Sequence, residues 1–119
     1  MKSILCISRH APYRSALARE ALEAVLAAAA FDQPVSLLLL DEGLWQLTQG
    51  QQPEAGKQKN LARNLSALEM FGVETVYAHL GSAEERGLST TALCIETVQW
   101  LNDEQVRQLI AQQDHLLSF

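Results

Sequence analysis

The sequence predicts an α/β domain of three layers, with helices on both faces of a mainly parallel five-stranded sheet. Two observations carry this. Short, wholly apolar runs of strand length occur at Ile4 to Ile7 and at Val35 to Leu40, and a chain apolar on both sides of a strand belongs to a sheet covered on both faces. Between and after such runs the apolar residues switch to helical spacing, so that strand and helix alternate from end to end. One domain over residues 1–119 is expected, because no repeat or linker interrupts the alternation and the length suits a single core.

Each element has its own reason. Leu17, Ala21, Leu22, Val25, Leu26 and Ala29 share one helical face, with Arg19 and Glu23 four apart on the polar side. Asp32-Gln33-Pro34 breaks that helix, and the second apolar run follows. Asp41 to Gly56 reads as a short helix and then a loop, since Gln49-Gly50-Gln51-Gln52-Pro53 cannot continue a helix. Leu61, Leu65 and Leu68 predict a third helix, closed by Gly72 after Phe71. Val73 to Ala78 reads as the third strand. Ser82-Ala83-Glu84-Glu85 has the form of a capping box opening a short helix that Gly87 closes. Ala92 to Ile95, extending toward Val98, reads as the fourth strand. Leu101 and Val106 flank Asn102 and Gln105 as a staple around a capping pair, Asp103 and Glu104 suit the helix dipole, and Val106, Leu109 and Ile110 form the buried stripe. His115 to Ser118 reads as the fifth strand.

Composition narrows the functional classes. With 48% apolar and 19% charged residues the chain is that of an ordinary globular protein. The net charge of −5 comes without any run of Lys or Arg, so direct nucleic-acid binding is not expected. No window approaches a membrane span, and the start is too short for a signal-peptide core, so neither membrane nor export is expected. Cys6 and Cys94 are far apart and form no Cys-x-x-Cys, which fits a reducing compartment, the cytoplasm by default.

In an open parallel sheet, chemistry gathers beyond the carboxyl ends of the strands. The first strand leads into Ser8-Arg9-His10-Ala11-Pro12-Tyr13-Arg14, with two guanidiniums and an imidazole but no glycine to bring backbone against a phosphate. An anion or acidic-partner contact through Arg9, His10 and Arg14 is set against plain solvated loop residues. Asp41-Glu42 ends the second strand, and a capping role is favoured over metal or acid/base work because no further acids follow the first strand. Cys6 and Cys94 lie within strands, where a thiol packs as a small hydrophobe with a raised pKa. His10, His79 and His115 share no metal-ligand spacing, so neither a metal nor another cofactor is expected. Trp45 and Trp100, read as lying in irregular segments, either pack over the core or anchor an interface.

Several segments in order resemble the TusC/DsrF branch of the DsrE-like family. Ala11-Pro12 with Arg19-Glu20-x-Leu22-x-Ala24-x-Leu26 is similar to its A-P…R-E-x-L-[DE]-A-[LV]-L segment. Asp41-Glu42-Gly43-Leu44-Trp45-Gln46-Leu47 with Gly50-Gln51-Gln52-Pro53 resembles D-G-[VL]-[FW]-Q-L…G-Q-x-P, Glu85-Arg86-Gly87-Leu88 matches E-R-G-L, and an aromatic residue closes the chain. The resemblance implies a DsrE-like fold and assembly with TusB-like and TusD-like subunits into a heterohexamer. It implies passage of persulfide sulfur toward the 2-thio group of wobble uridine in tRNA, with a TusE-like carrier next in line. In sulfur-carrying members a cysteine ends the third strand. Counting back from Leu88, His79 stands in that place, which implies a non-catalytic subunit. Three alternatives stay open: a sulfur-oxidation (DsrEFH-type) subunit, a stand-alone module binding a small anion or nucleotide through Arg9, His10, Arg14 and His79, and direct transfer through Cys94.

Overall fold

The structure, a computed structural model, describes residues 2–11, 16–47, 65, 67–73, 75–88, 93 and 97–119. Strand β1 (Ile4–Ser8) is followed by helix α1 (Leu17–Ala30), strand β2 (Val35–Leu39) and a 3-10 helix, η1 (Asp41–Leu47). A second 3-10 turn, η2 (Glu69–Phe71), precedes strand β3 (Val76–His79) and helix α2 (Leu80–Glu85). Strand β4 (Val98–Leu101), helix α3 (Asp103–Ala111) and strand β5 (His115–Ser118) complete the described elements.

The five strands form one sheet in the order β4-β3-β2-β1-β5, and every pairing is parallel. The chain therefore steps in one direction from β1 to β4 and then returns past the whole sheet to place β5 beside β1. Parallel crossovers keep one hand, so reversing the direction of travel moves the connecting helix to the other face. Accordingly α1, η1 and α2 pack with Cys6, Leu37, Leu39, Val76 and Ala78 on one face. Helix α3 alone among the described helices covers Leu5, Ile7, Leu38 and Leu101 on the other. The expected three layers are present, unequally filled. Val106, Leu109 and Ile110, expected to be buried, are only half-buried, because a nine-residue helix shields a five-stranded face incompletely.

Local chemistry explains most boundaries. Gly72 and Gly87 take φ of 90° and 65° and end η2 and α2, as read from the sequence. Asn102 and Gln105 form the expected reciprocal capping box of α3. Other expectations are corrected. The third strand begins at Val76 rather than Val73, since the Val73 N–H already donates to the Leu68 carbonyl at 3.0 Å and is lost to the sheet. Ser82 is not the cap of α2: the helix starts earlier, at Leu80, and His79 caps it. The fourth strand lies at Val98–Leu101, so Trp100 sits in a strand, half-buried against the α1 face. In that strand Val98 and Trp100 alternate with Gln99 and Leu101, the period of an edge strand with one face less covered. Of the run first read as that strand, Leu93 packs on the core, and residues 92, 94 and 95 lie outside the described residues. Leu65 and Leu68 are buried as expected of the third helix, while Leu61 lies outside.

Candidate functional site

Two different arrangements occupy the carboxyl ends of the strands. At the crevice between β1 and β5, where strand order reverses and α/β folds commonly hold ligands, the protein fills the space with its own groups. The Arg9 guanidinium donates to Ser118 Oγ at 2.8 Å, and the Arg9 N–H donates to the Phe119 carbonyl at 3.0 Å. His10 is exposed, and its carbonyl accepts from the buried Gln46 Nε2 at 3.1 Å. Arg14 lies outside the described residues. Of the four strand-end residues read from the sequence, Arg9 and His10 follow β1, whereas His79 ends β3, two strands away, and turns toward α3.

His79 is the centre of the second arrangement. Its Nδ1 accepts from the Ser82 N–H at 3.2 Å and lies 2.7 Å from Ser82 Oγ. Ser82 Oγ in turn accepts the Asp41 N–H at 3.0 Å, and His79 Nε2 lies 2.5 Å from Asp103 Oδ1. One imidazole, bonded directly to Asp103 and through Ser82 to Asp41, thus joins the ends of β2, β3 and β4. Beside it are two adjoining clefts. One, of about 260 Å³, is lined by Leu40, Asp41, His79, Asp103, Val106 and Arg107. The other, of about 400 Å³, lies between the starts of α2 and α3 and includes Gly81, Glu84 and Glu104. Carboxylates outnumber cations here, which disfavours an anionic ligand.

The residues of the two family-like segments hold this edge together. Gly43 lies so close to β1 that a Cβ there would sit 2.2 Å from the Ser8 carbonyl oxygen. Gln46, buried, donates to Ser8 Oγ at 2.7 Å. Of Asp41 and Glu42, either of which was expected to cap η1, Glu42 is engaged elsewhere. Its carboxylate takes the Trp45 indole N–H at 2.9 Å and the Arg86 guanidinium at 3.0 Å, while Arg86 Nη1 also donates to the Ser82 carbonyl. Arg86 therefore ties α2 to η1. Ser82, Asp103 and Gln46 are site residues that sequence reasoning missed. Gln46 carried a signal, a polar side chain amid the apolar positions of a short helix.

Cys6 offers no reactive thiol. It is fully buried, its Sγ lies 3.6 Å from the Ala21 carbonyl, and burial pushes its pKa up to about 12. Cys94 lies outside the described residues. Among the described residues no group of three His, Cys, Asp or Glu is placed to hold a metal, and no helix is long and apolar enough to cross a membrane.

The model of the DsrE/DsrF-like family matches residues 2–119. The chain belongs to the DsrE/DsrF-like family. Within it, a TusC homolog of Pseudomonas aeruginosa is 44% identical over 117 residues, covering 98% of both chains, and one of Vibrio parahaemolyticus is 34% identical over the full length of both. The intracellular sulfur oxidation protein DsrF of Allochromatium vinosum is 35% identical across all of this chain and 97% of that one. These relatives place the chain on the TusC/DsrF branch. The crystal structure of the ychN protein from E. coli superposes over the whole of both chains with a TM-score of 0.87 at 25% identity, so the DsrE-like architecture holds throughout.

Proposed function

We propose that this chain is a non-catalytic subunit of a TusBCD-type complex that relays persulfide sulfur for 2-thiolation of tRNA wobble uridine. In this reading it acts in the cytoplasm as a single domain spanning residues 1–119, within a heterohexamer of TusB-like and TusD-like partners, and meets a TusE-like carrier only indirectly. One observation carries the reading. Where sulfur-carrying relatives are expected to hold a cysteine, this chain has His79, and both its ring nitrogens are engaged within the fold, by Ser82 and by Asp103. Relay chemistry needs an accessible thiolate. An imidazole so engaged supplies no nucleophile, and the buried thiol of Cys6 supplies none either.

The Tus pathway is favoured over the sulfur-oxidation alternative by the alignments. Those with TusC homologs run 117 and 119 positions against the 119 residues of this chain, whereas that with DsrF runs 132 and therefore needs gaps. Among the described residues, the strand-end positions open to a neighbouring subunit include the exposed Arg9 and His10 and the clefts around His79.

The test is co-expression with the TusB-like and TusD-like proteins, then light scattering and intact mass after persulfide loading. A stoichiometric complex in which this chain gains no sulfur mass is the expected result. A chain that stays alone, or that carries added sulfur itself, overturns the proposal.

A further inference from the structure

The hydrogen bonds around His79 assign the ring a definite tautomer. An amide N–H only donates, so the Ser82 N–H at 3.2 Å makes Nδ1 an acceptor and leaves the ring proton on Nε2, aimed at Asp103 Oδ1. The Ser82 hydroxyl already accepts the Asp41 N–H, so its own proton is available to Nδ1 at 2.7 Å. The neutral ring thus engages three groups, its Nδ1 lone pair shared by the Ser82 N–H and hydroxyl and its Nε2–H directed at Asp103. It also packs closely on the first turn of α2, where a Cβ on Gly81 would lie 3.0 Å from its Cε1.

We propose that His79 is a proton-operated clasp, which caps α2 while neutral and, on gaining a proton, releases that cap and grips α3 alone. In the protonated ring both nitrogens donate. Nε2 keeps Asp103, now as an ion pair, while Nδ1–H faces the Ser82 N–H, donor against donor. The Ser82 hydroxyl can rotate to accept from Nδ1, but the Ser82 N–H is then left without an acceptor in the first turn of a helix. The charged groups facing the ring or lining its clefts are Asp103, Glu104 and Arg107 from α3, Asp41 from η1 and Glu84 from α2. Of these, Asp103 is the one bonded to it. Loosening the start of α2 passes to η1, because Arg86 joins the Ser82 carbonyl to Glu42. Acid thus reshapes the cleft between α2 and α3 without any ligand.

The experiment is NMR on the ¹⁵N-labelled full chain from pH 8 to pH 5, reading the His79 ring nitrogens and the Ser82 amide protection factor, corrected for intrinsic exchange. The expected result is an Nε2–H tautomer at the alkaline end and a fall in Ser82 protection of about five-fold as the ring protonates, the loss of one helix cap, with α3 amides unchanged. In His79→Asn, which caps without titrating, Ser82 stays protected throughout. An Nδ1–H tautomer, a ring that never protonates in the folded protein, protection that ignores the ring, or the same fall in His79→Asn overturns the clasp.

Discussion

At the scale of single residues the fold imposes opposite fates on its two most reactive side-chain types. His79 sits at a strand end and is fixed by hydrogen bonds, while Cys6 sits within a strand and is fixed by the absence of water. For Cys6 this has a consequence in alkali. The folded protein holds the thiol proton up to about pH 12, whereas the unfolded chain loses it near the ordinary value of 9.0. The unfolded state is therefore the one that gains from rising pH. The contribution is fully present below pH 9.0 and is lost between there and about pH 12, at roughly 1.4 kcal/mol per pH unit. Urea unfolding of the wild type and of Cys6→Ala at pH 8 and pH 10.5 isolates this, since other titrations are common to both. The wild type is expected to lose about 2 kcal/mol relative to the variant between the two conditions. An unchanged difference would mean that the thiol ionises as readily folded as unfolded.

Among the elements, η1 decides how the strand ends are arranged, and it does so through a contact that admits no side chain. The Gly43 Cα faces the Ser8 carbonyl at the end of β1, and that carbonyl also accepts the Leu40 N–H. A Cβ at 2.2 Å from backbone oxygen cannot be relieved by a rotamer change. Gly43→Ala should accordingly destabilise the protein by about 3 kcal/mol or more, displacing Gln46 from Ser8 and Glu42 from Arg86. Denaturant midpoints measure this directly. A loss below about 1 kcal/mol would show that η1 can swing away from β1 at little cost. The glycine was visible in the sequence as part of a family-like segment, but its reason was not, because a close approach between β1 and η1 is a tertiary fact. The same holds for α2, where Ser82 had the look of a cap. What displaced it was an imidazole three residues earlier, which takes the N–H of Ser82 itself and so starts the helix three residues sooner.

For the molecule as a whole, the alternation of apolar runs and helical spacing was enough to foresee five strands, a parallel sheet and helices on both faces. Strand order was not foreseeable. It follows from one event, the return of the chain from β4 to β5, and no local pattern announces which edge a strand will join. Strand β4 was misplaced because its Val-Gln-Trp-Leu alternation carries a polar residue on the less covered face and so lacks the continuous apolar run of the central strands. Of the site, position 79 was located through resemblance, whereas Asp103, 24 residues further on, comes within reach only because β3 pairs with β4. Charge, by contrast, is legible without any fold, and it bears on the tRNA end of the proposed pathway. The chain has 14 acidic residues against 9 Lys and Arg. The clefts at its strand ends are lined by Asp41, Glu84, Asp103 and Glu104, with Arg107 already paired to Glu104. Association with RNA draws on neutralising phosphates and releasing their counterions, and such a surface has little to offer. The isolated chain should therefore leave tRNA mobility unchanged in a gel-shift titration at physiological salt, and the assembled complex should retain whatever tRNA contact it has when Arg9 and Arg107 here are replaced by Gln. A shift produced by this chain alone, abolished by raising the salt, would reveal a basic surface that its composition denies, and would move the subunit from scaffold to RNA-binding component.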